Sequence, residues 1–455
     1  MPQGESSSAS TASSAATSSS SKSASPFDAI PLISDDLDSL RSNIMNLLGA
    51  GHPSLDSVAK YYFQAEGKHI RPLIILLMSA ATNGTSPIFG HGTTRHEEMD
   101  LTGVDEPLSP KSILNDYNPN LSGEVSSASA SSSSSVILPT QRRLAEIAEM
   151  IHVASLLHDD VIDESALRRG APSSPSTFGN KLSILGGDFL LGRASVALAR
   201  LRDNEVVELL ATVIANLVEG EVMQMKGVDV GALHGSGLTS FWTPPQDLSA
   251  ATSQFPGPTP EHFTSYLQKT YLKTASLMAK SARAATILGG HGEGALNQWR
   301  ASQGAGGISA QEQEEQMVHS ARVRDAAYTY GRNLGIAFQL VDDLLDFKST
   351  SVSFGKPSLG ADLRLGLATA PVLYAWQEFP GPEERLKEMV ERKFEGEGDV
   401  ERTLLAVHKS QGLARTAEFA RHHADEASKA LDVIPDSEAK AALQRLVGGV
   451  LDRVK

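Results

Sequence analysis

Six aspartates in two matching patterns are the residues of this chain best suited to chemistry. The first set closes the stretch Leu156-Leu157-His158-Asp159-Asp160-Val161-Ile162-Asp163, and the second closes Gln339-Leu340-Val341-Asp342-Asp343-Leu344-Leu345-Asp346. On a helix, residues four apart lie one turn apart on one face, and residues three apart have the other same-face spacing. Each set therefore concentrates like charge, which destabilises an isolated helix. One such set reads as a solvated helix end. Two sets, each after an apolar run instead of on a polar face, point to convergence on a shared cavity. Carboxylates brought together need cations between them. All-oxygen donors suit a hard ion, and Mg²⁺ takes a few carboxylates together with water and substrate phosphates. The chemistry expected is that of a diphosphate substrate.

The basic residues are ordered in the same sense. Gly67-Lys68-His69-Ile70-Arg71-Pro72 sets two cations three apart beside an apolar stretch, Arg168 and Arg169 follow the first acidic set, and Lys356 follows the second. Arginine forks and lysine point charges are the usual partners of phosphate oxygens. Each alone is an ordinary surface charge, but in this order with the acids they read as a site for phosphorylated substrates.

The elements that must position these residues read as helices. From Ser54 to Thr82, Val58, Tyr61, Tyr62 and Ala65 are followed at helical spacing by Leu73, Ile74 and Leu77, with Pro72 predicted to kink or interrupt the run. A second helix is predicted over Thr140 to Asp160, and others over 181–202, 204–227, 261–289, 319–347 and 365–378, with two or three more beyond. Strand alternation flanked by hairpin turns is absent from the pattern. The fold expected is all-α. Polar Gly/Pro/Ser-rich stretches at 83–138, 229–260 and 290–315 read as insertions, and 1–28 as a Ser-rich tail, around a single domain over 29–455.

Composition narrows the class. A formal net charge of −14 argues against a nucleic-acid binder. The chain has no cysteine, which excludes disulfides, thiolate catalysis and Cys-ligated zinc. Apolar runs such as Leu73 to Met78 are too short to span a bilayer. The first 25 residues are Ser-rich and acid-poor, as organellar presequences are, but Lys22 is their only base. A transit peptide carries several arginines, so a presequence and a disordered tail both stay open.

At these residues the sequence resembles the trans-isoprenyl diphosphate synthases, nearest to the fungal mitochondrial long-chain enzymes that make the ubiquinone side chain. The matching stretches are Tyr62 to Arg71, Glu149 to Gly170, Gly179 to Arg193, Tyr266 to Ala279 and Gln339 to Pro371. The resemblance implies an all-α bundle of ten or more helices around a central cavity. It implies that Asp159, Asp160, Asp163, Asp342, Asp343 and Asp346 bind about two to three Mg²⁺ ions bridging an allylic diphosphate. Arg168, Lys273 and Lys356 would hold that diphosphate, with Thr274 and Gln339 near the reacting carbons. Lys68, Arg71, His152 and Arg169 would hold isopentenyl diphosphate. The chemistry implied is electrophilic: an allylic cation is attacked by the double bond of isopentenyl diphosphate, and the released pyrophosphate accepts the proton.

Ala154 and Ser155 lie five and four residues before Asp159, and Ser155 shares its face. Small residues there either allow close helix packing or, by the resemblance, leave a product tunnel open and favour a long chain. The resemblance also implies a homodimer or a heteromer, a mitochondrial matrix location and peripheral membrane association for product release. A terpene cyclase lacks the pair at Lys68 and Arg71, a non-catalytic subunit generally loses aspartates, and a shorter-chain synthase would have a plugged tunnel.

Overall fold

The computed structural model describes residues 31–49, 52–64, 69–88, 136–168, 170–226, 256–303, 308–348 and 359–453. Seventeen α-helices carry the fold among these residues. The chain runs through α1 (Ser34–Leu47), α2 (Pro53–Tyr61), α3 (Ile70–Thr82), α4 (Pro139–Ile162), α5 (Ser174–Phe178), α6 (Asn180–Arg200) and α7 (Asn204–Lys226). It continues through α8 (Pro260–Thr270), α9 (Ser276–Thr286), α10 (Glu293–Ser302), α11 (Ala310–Phe347) and α12 (Ala361–Arg364). The last five are α13 (Ala370–Glu378), α14 (Leu386–Glu391), α15 (Asp399–Lys409), α16 (Gly412–Ala430) and α17 (Glu438–Leu451). A two-residue antiparallel pair, β1 (Leu167–Arg168) and β2 (Ala171–Pro172), is the one sheet among the described residues.

Helix α11 is the axis of the bundle. Its 38 residues would extend about 57 Å. Val323, Ala327, Tyr330, Leu334, Ala337, Leu340 and Leu344 recur at helical spacing and are buried against α9, α16 and α17. Gly335 lets its backbone reach the segment before α9, because a β-carbon there would stand 2.6 Å from the Cα of Ala275. On the other side α4 packs along α6 and α3, burying Leu144, Ile147, Met150, Ile151 and Leu157. The acidic ends of α4 and α11 therefore close the same bundle.

Three sequence expectations are corrected. Pro72 does not interrupt a helix: the break falls between Tyr61 and Ile70, and Pro72 sits in the first turn of α3, where backbone N–H groups have no intrahelical partner to lose. The stretch 290–315 contains α10 and the start of α11. Helix α11 begins at Ala310 because Ser309 and Glu312 form a capping box, with Ser309 N donating to Glu312 Oε2 at 2.8 Å and Glu312 N to Ser309 Oγ at 3.2 Å. Asn83 to Ile88 and 136–138 also belong to the folded body, tied in where Asn83 exchanges two hydrogen bonds with Gln141 at 2.8 and 2.7 Å. The tail 1–28 and most of 83–138 and 229–260 lie outside the described residues.

Helix α6 is long and apolar enough, by composition, to cross a membrane. In this fold it packs against α4 and α2 and buries Leu190, Ala194, Ala197 and Leu198.

Candidate active site

A cavity of about 270 Å³ opens where several helical elements meet. Helix α4 contributes Asp159 and Asp163, with Ser155 and His152 on its earlier turns; α3 contributes Arg71, and α11 contributes Gln339 and Asp343. Lys273 and Thr274 come from Tyr271–Ala275, a π-helical turn between α8 and α9. Such turns are rare and concentrate at functional sites, since one extra residue re-aims the side chains around it. Predicted residues as far apart in sequence as Arg71, His152, Asp159, Lys273, Gln339 and Asp343 thus reach one space.

Only three of the six aspartates line it. Asp159 and Asp163 face it from α4 and Asp343 from α11. Asp160 is fully buried and turned away, accepting from Arg168 Nε at 2.8 and 2.9 Å and from the Tyr62 hydroxyl. Asp342 pairs with Arg453 at 2.8 Å. Asp346 accepts from the backbone N–H groups of Ala361 and Asp362 at 3.0 and 3.2 Å, anchoring α12. Asp160 is therefore placed as the anchor of Arg168 and not on the cavity wall, for a buried carboxylate needs a compensating charge.

The remaining contacts orient the cavity's polar groups. Lys273 Nζ pairs with Glu221 and donates to Gln224 Oε1 at 3.0 Å. It reaches them across Gly220, where a β-carbon would stand 2.6 Å from Lys273 Cγ. Thr274 Oγ1 donates to Gln339 Oε1 at 2.9 Å, and Gln339 Nε2 donates to Asp343 Oδ1 at 2.9 Å. The Tyr266 hydroxyl donates to the other oxygen of Asp343 at 2.6 Å. Both ends of Gln339 are thereby fixed.

Burial drives the electrostatics. It pushes the Asp159 carboxyl up to about 7; Lys273 and Arg168 oppose the rise, while Glu221 and Asp163 add to it. Asp163 is raised for the same leading reason. Burial raises Asp343 to about 6 despite its two hydrogen bonds, and raises Asp362 to about 7 with help from Asp343 and Asp346. For all four carboxyls, burial outweighs the nearby cations Lys273, Arg168 and Lys269. Among the described residues no three acids or histidines enclose a cation by themselves. The donors fit a hard divalent ion that completes its shell with water and phosphate oxygens, as Mg²⁺ does.

A second cavity, of about 220 Å³, adjoins the first and shares His152 and Leu156 with it. Tyr61, Tyr62, Gln64, His69, Glu149 and Arg168 complete its polar wall. Arg168, which the resemblance groups with the allylic diphosphate, is on this side. Ser155 lines the first cavity, whereas Ala154 is wholly enclosed in the core. Lys68, Arg169 and Lys356 lie outside the described residues.

Sequence reasoning missed Glu221, Gln224, Tyr266, Lys269 and Asp362. Glu221 and Gln224 are three apart near the end of α7, a spacing that could have flagged them. Lys269 and Tyr266 read as ordinary helix residues. Asp362 is brought in by a four-residue helix that has no periodicity to detect.

The chain matches the family described as polyprenyl synthetase over residues 124–314 and 305–407. It is 48% identical to the probable hexaprenyl pyrophosphate synthase, mitochondrial, of Neurospora crassa, covering 94% of this chain and 82% of that protein. It is 40% identical to the hexaprenyl pyrophosphate synthase, mitochondrial, of Saccharomyces cerevisiae, covering 94% and 90%. The crystal structure of a Caulobacter crescentus polyprenyl synthase, complexed with calcium and isoprenyl diphosphate, superposes with a TM-score of 0.61 at 25% identity, covering 93% of this chain and 96% of that one.

Proposed function

This chain belongs to the polyprenyl synthetase family, and on that footing we propose that it is a long-chain trans-polyprenyl diphosphate synthase. It joins an allylic diphosphate to successive isopentenyl diphosphates, making the precursor of the ubiquinone side chain. The observation that carries the reading is the single cavity in which Asp159 and Asp163 face Asp343 across Lys273, Thr274 and Gln339.

The residues divide the work. Lys273, held by Glu221 and Gln224, offers a cation to the allylic diphosphate. Asp159, Asp163, Asp343 and Asp362 on the cavity wall, with Asp342 and Asp346 behind them, would hold Mg²⁺. When bound, the ions neutralise charge on the departing diphosphate. Thr274 Oγ1 and Gln339 Oε1, 2.9 Å apart, present electron-rich oxygens to the carbon that becomes cationic. Arg71 and His152, with Lys68 and Arg169, bind isopentenyl diphosphate, and Asp160 fixes Arg168 on the wall it shares with His152. The absence of a bulky side chain at Ser155 leaves room for the growing chain.

The relatives' names carry the word mitochondrial, and this chain is assigned to the same compartment. A homodimer is the assembly expected. Incubation of the purified protein with Mg²⁺, farnesyl diphosphate and isopentenyl diphosphate, followed by sizing of the products, tests the proposal. Products of six or more isoprene units are expected, and recovery of farnesyl diphosphate unchanged refutes it.

A further inference from the structure

Glu149 has no part in the scheme above, yet it lies on the wall of the second cavity with 7% of its surface exposed. A carboxylate on a wall meant for an anionic substrate works against binding by charge alone. Its place there needs another reason.

His69 supplies that reason. Glu149 Oε1 accepts from His69 Nδ1 at 3.1 Å; the other oxygen, Oε2, is buried with no hydrogen-bond partner among the described residues. His69 stands at φ 39° and ψ 42°, in the left-handed region, immediately before α3. A residue with a β-carbon is strained there and stays only when its surroundings hold it. Helix α3 has no side-chain cap on its first turn. Glu149 reaches across from α4 to the strained residue, 80 positions away in sequence. Two residues after His69, Arg71 enters the first cavity, so the angle at which α3 begins decides where that guanidinium lies.

We infer that Glu149 is a positioning residue: by holding His69 in its left-handed turn it sets the first turn of α3, and with it Arg71, for isopentenyl diphosphate. The inference rests on the reading of Arg71 as a ligand of that substrate. A glycine at position 69 adopts the left-handed turn without strain and needs no carboxylate to hold it.

The test is calorimetric binding of isopentenyl and farnesyl diphosphates in Mg²⁺ to the parent, Glu149→Ala, His69→Gly and the double variant. Glu149→Ala is expected to weaken isopentenyl diphosphate about tenfold and farnesyl diphosphate by less than about twofold, and the double variant to recover to within about threefold of the parent. Should Glu149→Ala not fold, Glu149→Gln keeps the volume and is expected to shift binding in the same direction by a smaller factor. Equal weakening of both ligands, no weakening with either substitution, or no recovery in the double variant overturns the inference. A parent that binds both ligands but elongates neither refutes the enzymatic reading alone and leaves this inference to the variants.

Discussion

Arg168 and Asp160 form an ion pair in which the carboxylate is wholly buried and the guanidinium meets it through Nε and Nη2, the latter at 2.6 Å. The Tyr62 hydroxyl donates to the same carboxylate and accepts from Ser174 N at 2.7 Å, so the pair ties α4 to β1 and α5. Adjacent aspartates of one motif thus have different physical roles.

Asp160→Ala is expected to lower stability by about 3 kcal/mol, because it leaves Arg168 beside an emptied, buried site. Asp159→Ala should instead leave the melting temperature close to the parent's while reducing turnover roughly a hundredfold or more. Thermal unfolding measured beside activity separates the two; equal loss of stability in both variants would refute the division.

Metal should act on stability before any substrate is present. Asp159, Asp163, Asp343 and Asp362 are raised by burial, so in protein stripped with EDTA their ionised forms oppose folding. Adding Mg²⁺ at a hundred times its dissociation constant is expected to stabilise the protein by about 2.7 kcal/mol. Asp343→Asn should raise the melting temperature in EDTA and shrink the Mg²⁺ shift. A variant that melts lower in EDTA yet keeps the full shift contradicts the assignment.

Ser155→Phe should shorten the product, because position 155 lines the cavity. Ala154→Tyr is a different experiment: with no exposed surface at that position, the larger ring must displace core neighbours and cost about 1–3 kcal/mol in addition to any effect on length. Chromatographic sizing of products from the two variants, with melting curves, distinguishes tunnel from core. An unchanged product from Ser155→Phe removes the role in length.

Acid should destabilise the protein through His291. This side chain is fully buried, near Ser320 Oγ and the carbonyl of Thr82 at 3.1 and 3.3 Å. Burial pushes its pKa down from 6.5 to about 4; the Thr82 carbonyl works the other way, while His319 and Arg324 add to the fall. The unfolded chain takes up the proton through pH 6.5, the folded one only near 4. Stability is therefore present above pH 6.5 and lost as pH falls towards 4, by about 3 kcal/mol. His291→Gln should flatten that part of the profile in chemical denaturation; an unaltered slope between pH 6.5 and 4 would count against it.

The sequence alone determined the all-α class, the runs that became α4, α6, α7, α9 and α11, and the two acidic sets, because helical periodicity and short motifs are local properties. Lys273, Thr274 and Gln339 were reachable only through the family resemblance, since nothing in their local spacing marks them as site residues. Only the tertiary structure decided that Asp160 anchors Arg168 while Asp159 faces the cavity: both positions satisfy the same spacing, and burial separates them. The same holds for Ala154 and Ser155, one residue apart on one helix. Glu221, Asp362 and the hold of Glu149 on His69 were hidden because each depends on side chains brought together from distant positions. Spacing along a helix says which residues share a face, and packing alone says what that face meets.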